Sequence, residues 1–391
     1  MRLRLGLAAG QPGWLSQQLA ASTVRHNQAK QLGEAQRHGT SSWQSITVPS
    51  AFPIRALARA RVASRAVRLL IVKTSSLGDV IHALPLATDL AAQSRSSQGQ
   101  SGIEIDWVLE EAFAPVVRLH PAVRRAIPVA LRRWRKAPLA GDTWVEVGAA
   151  RRSLREGGYD LVIDCQGLIK SAVVARWAGA PVVGPDAASA REPLAAMLYQ
   201  RPVAVDRTLH AIARNRAIGA AALGYTASGA ASFGLVAPAV PPELRDVTRT
   251  PFAVLLTNAS RPTKLWPDER WRAVEASFAQ HGWRSLLFWG TVDEGDRTHA
   301  RAQGMQAATV MPRLGLESVA AVLAGAQLVV GLDTGLSHLA AALDVPTVGL
   351  FCDYDPQLVG VAGARCVSLG GVDVQPPVTQ VLAAVDQVLA T

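Results

Sequence analysis

The chain has 391 residues, 49% of them hydrophobic and 18% charged, with three cysteines and a formal net charge of +10. Residues 1–66 hold nine Lys/Arg against one acid, Glu34, which leaves 31 positive and 29 negative residues from Val67 onward. A surface that tracks nucleic-acid phosphates carries its cations on the folded body, so a body at only +2 argues against a nucleic-acid partner.

The body itself divides. Residues 67–235 carry 20 positive and 14 negative side chains, and residues 236–391 carry 11 and 15. A body of this length exceeds what one core usually organises and predicts two domains. The longest apolar run, Val319 to Leu332, is shorter than the roughly 18–20 residues a membrane span needs. Cys165, Cys352 and Cys366 show no metal-ligand or paired spacing, which suits a reducing, cytoplasmic setting.

In chain order, residues 1–66 are rich in Arg, Ser, Gln and Ala, broken by Gly10, Pro12, Pro49 and Pro53, and read as a disordered basic extension without a secretory signal. From Arg68 short apolar runs alternate with helix-length amphipathic segments. The predicted strands of the first half are RLLIVK (68–73), IEIDWVLE (103–110), RAIPVA (125–130) and DLVIDC (160–165), with helices near 79–92, 144–156, 169–178 and 207–223. Those of the second half are FAVLLTN (252–258), SLLFWG (285–290), ATVMP (308–312), QLVVGLD (327–333) and TVGLFC (347–352). Helices near 268–280, 293–303, 316–325 and 334–343 alternate with them. Two sets of strand–helix repeats predict an α/β protein with two doubly wound domains, 67–238 and 239–391, joined near Ala237–Pro242. A last helix places Val378, Val381, Leu382, Val385 and Leu389 on one face, and could pack back on the first domain.

In open parallel sheets ligands bind beyond the carboxyl ends of the strands, so the loops there are searched first. Thr74-Ser75-Ser76-Leu77-Gly78-Asp79 follows the first strand and lacks the glycine fingerprint of a dinucleotide site, which disfavours an NAD-dependent dehydrogenase. Asp79 is either a helix N-cap or a general base at a cleft-facing helix start. The chain uses 35 Arg but five Lys, so Lys264, in Asn258-Ala259-Ser260-Arg261-Pro262-Thr263-Lys264, stands out as a compact charge for a phosphate. Gly331-Leu332-Asp333-Thr334-Gly335-Leu336-Ser337-His338 turns from strand to helix through small residues. The amides of Thr334, Gly335 and Leu336 would meet an anion there; alternatively Asp333 caps the helix and His338 merely packs. The basic excess of the first half centres on Leu131-Arg132-Arg133-Trp134-Arg135-Lys136, with Arg191 as a further cation, and reads either as an anion-binding patch or as a solvated loop.

From Arg68 to the C-terminus the chain resembles the lipopolysaccharide heptosyltransferases, and within them the type that adds the first heptose to the inner core. The stretches that carry the resemblance are IVKTSSLGDVIHALP (71–85), IDWVLEEAF (105–113), IPVALRRWRK (127–136), YDLVIDCQGLIKSA (159–172), SAREPLA (189–195), KLWPDERW (264–271) and GLDTGLSHLAAALDVPT (331–347). The resemblance implies a GT-B fold, two Rossmann-like domains facing across a cleft, and inverting heptose transfer from ADP-L-glycero-D-manno-heptose to Kdo2-lipid A. It implies no cofactor and no metal, a monomer, and a peripheral place on the cytoplasmic face of the inner membrane.

By the same resemblance Asp79 is the general base. Ser260, Lys264, Glu294, Leu314, Asp333, Thr334, Gly335, Leu336 and His338 bind the donor, Glu294 at the ribose and Leu314 at the adenine. Ser76, Gly78, Arg132, Arg135, Lys136 and Arg191 bind the acceptor. The phosphate loop departs from the family at Ala259, where a second hydroxyl is usual. The alternatives are the type that acts on already heptosylated Kdo2-lipid A, and a non-catalytic ADP-sugar-binding protein.

Overall fold

The computed structural model describes residues 66–95 and 102–390, all within one compact unit, Ser45–Thr391. The extension expected over residues 1–66 lies outside them apart from Ala66. Strands β1 (Val67–Val72), β2 (Ile103–Glu110), β3 (Val123–Val129), β4 (Leu161–Asp164), β5 (Val182–Pro185) and β6 (Arg201–Val203) form a parallel sheet in the order β3-β2-β1-β4-β5-β6. A second sheet, β7 (Phe252–Leu256), β8 (Arg284–Leu287), β9 (Ala308–Val310), β10 (Leu328–Leu332), β11 (Thr347–Phe351) and β12 (Cys366–Gly370), runs β12-β11-β10-β7-β8-β9. The two orders are the same. In each sheet the first strand is central and the chain winds outward on one side before crossing to the other, so a crevice opens at the carboxyl ends of β1 and β4 and of β7 and β10.

The first half contributes α1 (Leu77–Ile81), α2 (Leu84–Arg95), α3 (Ala114–Arg118), α4 (Leu131–Lys136), α5 (Gly141–Glu156), α6 (Ile169–Trp177) and α7 (Ala211–Leu223). The second contributes α8 (Asp268–Gln280), α9 (Val292–Ala302), α10 (Leu316–Ala324), α11 (Gly335–Ala342), α12 (Pro356–Val359) and α13 (Val378–Ala390). Helices cover both sheet faces, which is why β1 reads as an unbroken apolar run rather than an alternating one: Leu69, Leu70, Ile71 and Val72 are all fully buried. One face of the first sheet, through Leu70, Val72, Val108 and Val162, packs on Trp134, Leu154, Ala172 and Val174. In the second, Leu255, Val330 and Leu332 join Trp271, Val274 and Phe278 of α8. Truncating one of these leucines to Ala would cost about 2–5 kcal/mol.

Several sequence expectations change. The helix expected over 79–92 is two, because Pro85 has no amide to donate to Ile81 and its ring would clash there. The basic stretch 131–136 is a helix, α4, not a loop. Strands β5, β6 and β12 were missed: VVGP and RPV carry proline and β12 is an edge strand, where residue pattern is weakest. On α13 the buried face is Val381, Ala384, Val385 and Val388, while Leu389 is exposed. That helix packs on β11, β12 and α8 of the second half. Residues 231–241 form neither helix nor strand, and no described helix is long and apolar enough to cross a membrane.

Candidate active site

The loop after β1 is fixed from below. Gln166, buried beyond β4, accepts from the amides of Thr74 (3.0 Å) and Ser75 (3.3 Å). Asp164 in turn accepts from the Gln166 amide (2.8 Å), the Ser171 hydroxyl (2.9 Å) and the Tyr199 hydroxyl (2.8 Å). On this base Ser76 takes the N-cap of α1, and Asp79 sits three residues in, so Asp79 is not the cap. Its Oδ2 accepts from the Ser76 amide (2.9 Å) and hydroxyl (3.0 Å), with Arg191 Nη1 at 4.0 Å. Among the described residues nothing donates to Oδ1. Burial pushes the Asp79 carboxyl up, but the Lys73 ammonium, the Ser76 amide and Arg191 outweigh it and hold the group below the usual carboxylate range.

Lys73 is the residue the sequence reading passed over. Buried at the end of β1, it donates to the Cys165 carbonyl (2.7 Å) and charges the ground behind Asp79. The signal was available, since Lys73 is one of only five lysines. Arg214 of α7 was missed too. It is half-buried, its Nε lacks a partner among the described residues, and its charge acts on Asp79, Arg191, Arg207 and Tyr354. Burial pulls its guanidinium down.

The basic helix α4 lies along the same sheet edge. Glu110, at the end of β2, donates its amide to the Thr74 carbonyl (3.0 Å) and accepts the Arg132 amide on its side chain (2.9 Å). Arg132 stacks over Phe113 at 5.4 Å. Arg133 is taken up by Glu111 (3.2 Å) and Glu146 (2.8 Å), and Trp134 is buried with its indole N–H on Glu146 (2.7 Å). Arg132, Arg135 and Lys136 are exposed, so three of the four cations remain available to an anion.

In the second half, Thr334 is the N-cap of α11, which displaces Asp333 from the capping role. Among the described residues nothing accepts from the Thr334, Gly335 and Leu336 amides, as expected of a helix start open to an anion. Lys264 Nζ pairs with the Asp333 carboxylate and also donates to its carbonyl (3.2 Å). Two of its three donors are thereby used, leaving one for a ligand. His338 Nε2 lies 3.5 Å from Asp333 Oδ1. Burial pushes Asp333 up, but His338 and Lys264 together hold it low. Ser260 is exposed on the phosphate-type loop. Glu294 closes a capping box on α9, with Oε2 accepting from Gly290 (2.9 Å) and Thr291 (3.2 Å), and Leu314 sits half-buried in the loop before α10.

The two halves meet at these residues. A Cβ on Gly335 would come 2.6 Å from Leu77, and one on Gly78 would come 3.0 Å from the His338 ring, so both glycines let the start of α11 dock on α1. Gly78, expected at the acceptor, is thus a contact between the halves. Behind it His82 packs edge-on against His338 (4.4 Å between ring centres) and against His210 (5.3 Å), whose Nε2 lies 3.1 Å from the Gly360 carbonyl. Burial keeps His82 and His210 neutral, His210 down at about 4. His82 Nε2 and His338 Nδ1 find no partner among the described residues, so His338 meets Asp333 through Nε2 alone. Among the described residues no group of three or more His, Cys, Asp or Glu is disposed to hold a metal ion.

A carboxylate held ionised beside an open helix start and a lysine is an arrangement for moving a proton on one side and receiving an anionic leaving group on the other. The model of glycosyltransferase family 9 (heptosyltransferase) matches residues 147–380. The lipopolysaccharide heptosyltransferase 1 of Pseudomonas aeruginosa is 45% identical over 309 residues, 78% of this chain and 83% of that protein. The chain belongs to glycosyltransferase family 9. The enzyme of the same name from Escherichia coli K12 is 43% identical over 76% of this chain and 91% of its own. The solved structure of the E. coli heptosyltransferase WaaC with ADP is 39% identical, covering 82% of this chain and all of that one at a TM-score of 0.74. WaaC with ADP-2-deoxy-2-fluoro heptose aligns at 38% identity and 0.70. This family member therefore has the GT-B arrangement of two Rossmann-like sheets.

Proposed function

We propose that this heptosyltransferase moves L-glycero-D-manno-heptose from ADP-heptose to Kdo2-lipid A, with inversion, in lipopolysaccharide core synthesis. Asp79, ionised and with Oδ1 open, takes the proton of the attacking Kdo hydroxyl. The hydroxyl oxygen bonds to the anomeric carbon as the bond to the β-phosphate breaks, and the electron pair leaves on ADP. The charge is received by the amides of Thr334, Gly335 and Leu336, the remaining Lys264 proton and the Ser260 hydroxyl, groups already in place before it develops. Attack from the α1 side and departure toward α11 give a single displacement, hence inversion. No metal or cofactor is needed in this reading. Glu294 and Leu314 hold the ribose and adenine, and Arg132, Arg135, Lys136 and Arg191 meet the acceptor's carboxylates and phosphates. The protein works as a monomer on the cytoplasmic face of the inner membrane.

The observation that carries the reading is the contact of α1 with the start of α11, which sets the Asp79 helix against the open amides. It is supported by the 43–45% identity to enzymes named lipopolysaccharide heptosyltransferase 1. The test is transfer of labelled heptose from ADP-heptose to Kdo2-lipid A, with heptosylated Kdo2-lipid A in parallel. Product from the first acceptor is expected. Product from the second alone would reassign the acceptor, and donor binding without product from either would make the chain a binder.

A further inference from the structure

Four neighbouring elements cover one face of the first sheet on a shared core: α4, α5, α6 and the 3-10 turn Pro193–Leu198. α5 packs on α6, and α6 on that turn. Their outer sides and the loop between α4 and α5 carry large apolar groups left in solvent, among them Leu139 (95% exposed), Met197 (80%), Val145 (67%), Trp144 (65%) and Leu194 (63%). The Trp144 indole N–H donates to the Pro138 carbonyl (3.0 Å), which ties the ring to the loop bearing Leu139.

The charge of the first half sits on the same elements. Residues 131–136, 141–156, 169–177 and 191–198 hold ten Lys/Arg and four Asp/Glu, whereas the rest of 67–235 holds ten of each. Of the four acids, Glu146 is paired with Arg133 and Glu192 accepts the Ile169 amide (2.7 Å). The whole positive excess of this half is therefore on one apolar-studded surface.

We propose that this surface seats the protein on an anionic lipid bilayer, with Leu139, Trp144, Val145, Leu194 and Met197 entering the interface and the cations between them meeting headgroup phosphates. A protein interface gathers its apolar groups into a core depleted of charge, whereas here the helices and turn that bear the exposed apolar side chains also bear exposed cations, among them Arg151, Arg152, Arg155, Lys170 and Arg191. That mixture, with a Trp whose polar edge is already satisfied, suits the headgroup boundary, where long cationic side chains reach outward along their apolar stems. The surface also runs into the site: Arg191 stands beside Asp79 three residues before Leu194, and Arg132 is anchored through Glu110 to the loop bearing Thr74. This continuity rests on the reading of the acceptor as lipid-linked, since an acceptor headgroup at Asp79 would then have its acyl chains beside the docked face.

The test is flotation of the full chain with acceptor-free vesicles of phosphatidylglycerol and phosphatidylethanolamine, and with phosphatidylcholine alone. Wild type should float with the anionic vesicles and not with the neutral ones. L139S/W144S/M197S, and separately R151Q/R152Q/R155Q, should weaken that partition more than tenfold. The variants change exposed side chains only, and unchanged circular dichroism and melting temperature verify their fold. Transfer to a deacylated, soluble Kdo acceptor should be unaffected in both while transfer to vesicle-embedded acceptor falls. No flotation by wild type, or equal flotation of the apolar triple variant, would overturn the docking face. So would self-association of wild type that the triple variant loses, which would make the face a contact between copies. Absence of transfer to the soluble acceptor bears on the catalytic reading alone.

Discussion

The two halves share a strand order, and each sets an aspartate near a lysine at the carboxyl edge of its sheet, yet the roles are exchanged. In the first half Asp79 turns back on the Ser76 amide at the helix start, and Lys73 is buried behind it. In the second the start of α11 is open, and Asp333 holds Lys264 through its carboxylate and carbonyl, both side chains being half-buried. One edge therefore keeps a carboxylate ionised and ready to accept a proton, and the other keeps donors aimed at an arriving negative charge. The same topology yields a base where the lysine is spent on the Cys165 carbonyl, and an anion site where the aspartate is spent on holding the lysine.

The sharpest way to break that division is to neutralise Asp79 in the first pair and Lys264 in the second. Asp79→Asn keeps the shape and removes the base, and turnover should fall about a thousandfold, within the usual range for a general base, with ADP-heptose affinity unchanged by calorimetry. A variant that loses donor binding as well would mean that Asp79 belongs to the donor site. Lys264→Met should lose about a hundredfold in kcat/KM, as expected for removing one charge-stabilising donor, and should weaken ADP itself. If ADP binds Lys264→Met as tightly as wild type, the lysine is not at the leaving group and the two halves are not divided as described.

Much of this was legible in the sequence because it is local. Parallel strands buried on both faces leave unbroken apolar runs, so β2 could be read to its ends and the loops carrying Asp79, Lys264 and Asp333 could be placed after β1, β7 and β10. What was not legible depends on residues far apart in the chain. Nothing near Gln166 announces that it holds the Thr74–Ser75 backbone, and His82, His210 and His338 come from three separate helix termini or turns. The capping alternatives for Asp79 and Asp333 could not be decided from residue type, since Ser76 and Thr334 are equally good caps one to three positions earlier or later. The docking of Leu77 on Gly335 has no sequence signature beyond a glycine.

The smallest expected effect falls on the buried partner of the first pair. Lys73 makes no contact with a substrate in this reading, and it acts through Asp79, whose carboxyl is raised by burial and lowered more strongly by Lys73, the Ser76 amide and Arg191 acting together. The base works only when ionised, so in wild type the acid limb of the pH–rate profile lies below the ordinary carboxylate range, and activity is lost only as the pH falls through that depressed value. Lys73→Met removes one lowering influence and leaves burial in place, so the limb should move up in pH while the plateau rate near neutrality stays close to wild type. The variant also strands the Cys165 carbonyl, a loss of about 1–3 kcal/mol in stability that a denaturant titration would register without moving the limb. The pH profile thus separates a lysine that sets the charge of the base from one that only braces the ends of β1 and β4: an unshifted acid limb with lowered stability would assign Lys73 to bracing alone.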